Sequence, residues 1–195
     1  MKRKRRDGKD RHLAPFRAAL VEMPQKSAIV YWLIPAKPER ELFHALIRIL
    51  AKQFDAPVFE PHLTLCFSRD AQSPKELLRR INAPAVRLQV RDVDYSSKFT
   101  KTLFIRFKAK PGLNKLARAL GCVAQRDPHV SLLYKKLPVR VQKQLAATVR
   151  LPFRSVCFDA IKAVRCVSPT TTAQDVKSWS VIATRKMSGR RRLAC

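Results

Sequence analysis

Two short stretches constrain the chain more than any other: PHLTLCF at residues 61–67 and PHVSLLY at residues 128–134. Each sets a histidine behind a proline and a hydroxyl residue two positions further on, then runs into apolar residues. In a β-strand, alternate side chains share a face, so His62 and Thr64 project together while Leu63 and Leu65 feed a core. The same alternation projects His129 and Ser131 away from Val130 and Leu132. Two of the chain's four histidines therefore stand in matching strands.

The flanking sequence repeats as well. SAIVYWLIP, residues 27–35, is an apolar, β-branched run that ends in proline and reads as a buried strand. ERELFHALIRILAKQF follows, with Leu42, Phe43, Leu46, Ile47, Leu50 and Phe54 at helical spacing. After the first histidine strand, SPKELLRRI predicts a helix with Ser73 as cap, Pro74 at its first position and Glu76 completing a capping box. AVRLQVRDVDYS and KTLFIRFKA alternate as strands. PGLNKLARALG predicts a helix between a first-turn proline and a glycine stop. Beyond the second histidine strand, PVRVQKQLAATV predicts a helix, and PFRSVCFDAIKAVRCVS and DVKSWSVIATRKM supply further strands. The expected architecture is α+β: two pseudo-symmetric lobes, with antiparallel sheets around a central cleft and helices outside. The strand order stays open.

At 195 residues the chain can bury roughly two thirds of its unfolded surface in a single core or two packed lobes. Its charge is one-sided, 41 Lys and Arg against 14 Asp and Glu, a formal +27. A field of that sign attracts polyanions and phosphorylated substrates without specifying a nucleic-acid site. Part of the excess lies at the ends, so residues 1–26 are expected to form a basic N-terminal extension and residues 187–195 a basic tail, around a body at 27–186. The N-terminal block reads equally as an RNA-contacting arm or as a solvated or compartment-directing segment.

Five cysteines without close paired spacing argue against a disulfide framework or a zinc knuckle and favour a reducing compartment. Cys66 and Phe67 are expected to pack. No apolar stretch approaches the roughly 20 residues of a membrane span, so no membrane insertion is expected. The expected location is cytoplasmic, with nuclear or organellar targeting left open. No glycine-rich phosphate loop supports a dinucleotide fold, and no HExxH supports a zinc protease.

VFEPHLTLCF and PHVSLLY, with Trp179 in KSWSVI near the end, resemble the paired His-x-Thr/Ser motifs of the 2H phosphoesterase superfamily, in particular its cyclic phosphodiesterase branch. The resemblance spans most of residues 27–186. It implies a bilobed fold in which His62 and His129 meet in one cleft as catalytic residues. Thr64 and Ser131 then contact substrate, and Tyr134 and Trp179 border the nucleotide. It further implies hydrolysis of nucleoside 2',3'-cyclic phosphates to 2'-phosphates, or of ADP-ribose 1'',2''-cyclic phosphate to ADP-ribose 1''-phosphate. Processing of a cyclic phosphate or a 2'-5' linkage on RNA is the alternative enzyme reading. A non-enzymatic RNA-binding role is the alternative of a different class.

The chemistry also follows from the side chains. Opening a cyclic phosphodiester with water needs one group to take a proton and another to give one, and imidazole titrates in the range where both forms exist. Hydroxyls at Thr64 and Ser131 can hold the nonbridging oxygens and gain strength as charge develops in the transition state. No metal or other cofactor is expected. The partner is a small cyclic-phosphate nucleotide, with RNA reaching the basic surface or termini, and a monomer suffices because both lobes come from one chain. His44 reads as a core-edge residue of its helix and His12 as solvent-facing. Arg69, Lys98, Lys101, Lys135 and Lys136 read as surface charges close to the motif ends.

Overall fold

The computed structural model describes residues 26–68 and 73–188. The expected basic segments up to residue 25 and from 189 onward, together with His12 and Arg69, lie outside the described residues.

The chain runs twice through the same five-element unit. The first is β1 (Lys26–Pro35), α1 (Glu39–Phe54), β2 (Leu63–Phe67), α2 (Pro74–Arg80) and β3 (Val86–Tyr95). The second is β4 (Leu103–Phe107), α3 (Pro111–Ala119), β5 (His129–Leu133), α4 (Val139–Thr148) and β6 (Ser155–Ser168). A short helix α5 (Ala173–Lys177) and a strand β7 (Ser180–Lys186) are added after the second unit.

All seven strands join one antiparallel sheet in the order β1-β2-β5-β4-β3-β6-β7, and β1 also pairs with β6, so six strands close into a ring. This is the expected α+β architecture of antiparallel strands with outer helices. Its two lobes are continuous with each other. One is β2, β1, β6 and β7; the other is β5, β4 and β3. They share the long strand β6, whose start pairs with β3 and whose remainder pairs with β1 and β7.

The helices cross between the lobes. α1 packs on β5 and α3 on β2, while α2 packs on β6 and β7 and α4 on β3 and β4. Each unit thereby covers strands that belong to the other. α1 does so with a stripe of Phe43, Ile47, Leu50 and Ala51, all buried, after an N-cap at Pro38. α3 starts on Pro111 and stops before Gly121, whose φ of 70° lies in the left-handed region that glycine adopts without strain.

The main core lies between strands and helices and contains Tyr31, Leu33, Leu63, Leu65, Ile105, Val130, Leu132 and Phe158. The other face of β1 is buried too, with Val30, Trp32 and Ile34 packed against Ala160 and Val164. Burial on both faces explains why β1 reads as a continuous apolar run.

Three sequence expectations need correction. Ser73 is the N-cap of α2, but its side chain makes no capping hydrogen bond. The capping box belongs to α5, where Thr172 and Asp175 exchange hydrogen bonds. Cys66 and Cys122, expected to be free, form a disulfide. The turn after α3 brings Cys122 to the end of β2, a meeting that their separation of 56 residues concealed. The body also extends beyond residue 186: Met187 is buried in the main core and Ser188 donates its backbone N–H to the Ala83 carbonyl. No helix among the described residues is long and apolar enough to cross a membrane.

Phe158 sits where β6 changes partners, opposite Pro35 on β1 and Val86 on β3, with no exposed surface and its ring edge-on to Phe107. Phe158→Ala should cost about 3–5 kcal/mol, from lost transfer energy and the cavity left behind. Urea unfolding should show this as a lower midpoint with an unchanged slope.

Candidate active site

β2 and β5 pair in register at one position, Leu63 with Val130. The antiparallel register about that pair sets position 62 across from 131 and position 64 across from 129. Each motif's histidine therefore stands opposite the other motif's hydroxyl residue. All four residues line one cleft of about 820 Å³, as do Tyr134 and Trp179. Every candidate site residue read from the sequence thus borders the same cavity.

Both imidazoles are fixed the same way. His62 Nδ1 donates to the Glu60 carbonyl oxygen at 2.6 Å, and His129 Nδ1 donates to the Asp127 carbonyl oxygen at 2.7 Å. A carbonyl can only accept, so each Nδ1 carries the hydrogen and each Nε2 is the atom left for proton exchange.

The same two acidic residues spend their side chains on cations. Lys162 on β6 donates to both Glu60 carboxylate oxygens at 2.6 and 2.7 Å. Lys101 donates to the Asp127 carboxylate, which Arg106 Nε also approaches at 3.2 Å. Arg106 turns its other end to Asp94 at 2.5 Å. Each histidine thus hangs from a residue held at both backbone and side chain, an arrangement that fixes ring orientation.

Aromatic rings complete the walls. Trp32 pairs across strands with Thr64 and stacks on His62, centroids 3.7 Å apart at 12°. Phe104 pairs across strands with Ser131 and meets His129 edge-on at 5.3 Å. Trp179, between α5 and β7, stands edge-on to both Trp32 and His62. Tyr134 is buried and stacks on Phe59 at 3.8 Å.

Burial dominates the electrostatics. It pushes the His62 imidazolium down to about 4, and the nearby His129 and Lys162 charges act in the same direction against the Glu60 carbonyl. Burial also lowers His129, with Lys101 and Arg106 adding to it while the Asp127 carbonyl and carboxylate oppose. The Tyr134 hydroxyl is held protonated well above its ordinary range, again by burial. The Ser131 hydroxyl donates to the Thr100 carbonyl at 2.9 Å, so it must rotate before it can donate to a ligand.

The charges noted from sequence separate into three groups. Lys98 and Lys101 line the cleft, where Lys101 also lies 4.3 Å over the Phe104 ring. Lys135 caps the end of α1 by donating to the Asp55 carbonyl. Lys136 is exposed, and His44 lies on α1 away from the cleft. Sequence reading missed Glu60, Asp127, Lys162, Arg106, Trp32 and Arg126. The acid-Pro-His order at 60–62 and again at 127–129 was the available signal for the first two. No group of three His, Cys, Asp or Glu side chains among the described residues is arranged to hold a metal ion.

Residues 27–122 match the family model of the cyclic phosphodiesterase-like proteins. The match takes in 96 of the 195 residues, and this part of the chain is similar to that family. The match includes His62 and Thr64 and ends before His129 and Ser131. No curated protein matches the chain. Among solved structures, E. coli LigT in its apo form is similar at 17% identity and a TM-score of 0.49, over 84% of this chain and 99% of LigT. E. coli LigT with phosphate is 20% identical with a TM-score of 0.48, and with 3'-AMP 18% identical with a TM-score of 0.48. Each covers 85% of this chain and 99% of its own.

The Glu60–Lys162 pair is mostly shielded, with side-chain exposures of 27% and 20%. Lys162→Met should cost about 1–2 kcal/mol by leaving the Glu60 carboxylate without its cation. In a chain of this size that lowers Tm by roughly 2–8 °C. Adding Glu60→Gln should recover part of the loss. Strictly additive losses in thermal unfolding would show that the two side chains are not coupled.

Proposed function

We propose that the cleft hydrolyses cyclic phosphodiesters on ribose without a metal, using His62 and His129 as the acid/base pair. The observation that carries this reading is the reciprocal arrangement about Leu63 and Val130: two imidazoles with Nδ1 committed and Nε2 left for exchange, each across from a hydroxyl residue.

A phosphorus atom between the two Nε2 atoms has a proton acceptor on one side and a proton donor on the other. The neutral imidazole removes a proton from water as it attacks. The protonated one delivers its proton to the departing ribose oxygen, so displacement is in line and needs no covalent intermediate. Thr64 and a rotated Ser131 donate to the nonbridging oxygens as they gain charge. Tyr134 and Trp179 form the wall against which base or ribose rests. One chain supplies the entire lining, which suits action as a monomer.

The substrates this reading favours are nucleoside 2',3'-cyclic phosphates, giving 2'-phosphates by cleavage of the bond to the 3' oxygen. ADP-ribose 1'',2''-cyclic phosphate, giving ADP-ribose 1''-phosphate, is favoured alongside them. A second reading, a cyclic phosphate or 2'-5' linkage at an RNA end, draws support from Lys98 and Arg126. Both are exposed on the cleft wall, where they could meet a further phosphate. Comparing turnover of a cyclic mononucleotide with that of an RNA bearing the same terminal base separates the two readings.

In EDTA the protein should turn over at least one of these cyclic phosphates. His62→Ala and His129→Ala should each lose about 10²–10⁴-fold in kcat while remaining folded. Failure of the parent across the whole set, or undiminished turnover in either variant, would overturn the reading.

The pH profile supplies an independent check. In the free protein both histidines titrate below 6.5, so kcat/KM, which needs one imidazolium, should fall as pH rises through a midpoint below 6.5. The bound phosphate anion favours the imidazolium, so the corresponding limb of kcat should lie at higher pH. Coincident limbs would contradict direct contact between phosphate and histidine.

A further inference from the structure

The ring has two seams between its lobes. β2 and β5 form one and carry the catalytic cleft; β3 and β6 form the other, pairing Val86–Gln89 with Ser155–Phe158. A second groove of about 560 Å³ opens at this other seam and shares no lining residue with the cleft. Its two walls are β3 and the segment that leads from α4 into β6, tied together where Val90 N–H donates to the Arg154 carbonyl at 2.9 Å.

Four cations line it: Arg91, Lys108, Arg150 and Arg154, all exposed. One carboxylate faces them, Asp92, and it is already engaged by Arg91 at 3.3 Å and Arg106 at 4.0 Å. Arg150 reaches only the backbone carbonyls of Ala147 and Val149, at the end of α4. Among the described residues, Lys108, Arg150 and Arg154 make no ion pair. Between the cations the floor is apolar and half-buried: Val149, Leu151 and Phe153, with the Phe153 ring held edge-on by Phe43.

A concave strip with cations along its rim and a fixed aromatic ring in its floor fits a flexible polyanion with flat bases. Phosphates take the rim and bases or sugars take the floor. An anionic lipid surface would instead require a convex or flat face with projecting apolar side chains. From this geometry we infer that the β3/β6 groove binds the backbone of single-stranded RNA, as a docking site separate from the catalytic cleft. The choice of RNA rests on the ribose phosphodiester chemistry proposed for the cleft, but the groove itself is tested without turnover.

The test uses the full chain and a labelled single-stranded RNA ending in a 3'-hydroxyl, which offers the cleft no cyclic phosphate. Affinity is read by fluorescence anisotropy across a salt series. Each single-strand phosphate neutralised contributes about 0.7 to the slope of log K against log salt. Replacing Arg91, Lys108, Arg150 and Arg154 with Gln should therefore flatten the slope by roughly 2.8. Turnover of a 2',3'-cyclic mononucleotide should not change. The smaller variant Lys108→Gln with Arg154→Gln removes side chains that hold nothing else in place, and should flatten the slope by about 1.4. That second variant keeps the test valid if the fourfold change unfolds the protein.

The matched control replaces four exposed cations on α1 and α3, Arg48, Lys52, Lys115 and Arg118. It should leave the slope within about one contact of the parent. An equal loss in the control would overturn the inference in favour of diffuse attraction by the whole basic surface. So would an unchanged slope in the groove variants. Groove-dependent binding to phosphatidylserine vesicles with no effect on RNA would assign the groove to a membrane and equally overturn it. Loss of cyclic mononucleotide turnover in the parent would count against the proposed reaction and leave the RNA measurement standing.

Discussion

The contact between Leu63 and Val130 is the constraint on which the site depends. It is the one position of backbone pairing between β2 and β5, yet it closes a six-stranded ring and sets the register of both motifs at once. Because side chains alternate along a strand, a slip of one residue would turn the histidine and hydroxyl of one motif into the core and expose its leucines. The seam is protected from slipping by its surroundings. Leu63 and Val130 are buried in the main core, and each strand is clamped on its outer side by a longer pairing, β1 with β2 and β4 with β5. The crossed helices add a second lock, since α1 from the first unit packs on β5 and α3 from the second packs on β2. Separating the lobes would strip a helix from each motif strand.

The orientation of the two histidines is set one layer further out. Acid-Pro-His occurs twice, and in both copies the backbone carbonyl of the acidic residue takes the imidazole Nδ1–H while its carboxylate takes a lysine. Only the first half of that arrangement is a property of the local chain. The lysines come from elsewhere, Lys162 from β6 and Lys101 from the turn before β4. The chain's large positive charge therefore does not reach the histidines unmodified. Beside each imidazole a cation is paired with a carboxylate, and desolvation rather than net charge is the main influence on its proton.

What could be read in the sequence follows from what is local. Alternation within five residues placed His62 with Thr64 and His129 with Ser131, and helical spacing found α1 through Leu42, Phe43, Leu46 and Ile47. Turn chemistry found the start of α3 at Pro111 and its end at Gly121. The repeated motif made two lobes legible but not their joining, because nothing in a single strand states its neighbour. Lys162 stayed invisible as a site residue for the same reason: it lies 102 residues from Glu60 and reads as one charge among many on an alternating strand. The disulfide between Cys66 and Cys122 and the cross-strand partners Trp32 and Phe104 are also products of pairing. Glu76 illustrates the reverse case, a capping pattern present in the letters that the fold did not use.

The departures from symmetry matter as much as the symmetry. Two equivalent imidazoles would hold their protons equally, whereas the acid/base reaction proposed for the cleft needs them to differ. The last two elements supply part of the difference, because α5 and β7 have no counterpart in the first unit. They bring Trp179 against Trp32 and His62, so His62 is enclosed by a stacked ring beneath and an edge-on ring beside it, at 6% exposure. His129 has only the edge of Phe104 and is less deeply buried, with the Asp127 carboxylate close enough to oppose the loss of its proton. The repeated unit places two identical imidazoles in one cleft, and the unpaired C-terminal elements add to the differences between their surroundings.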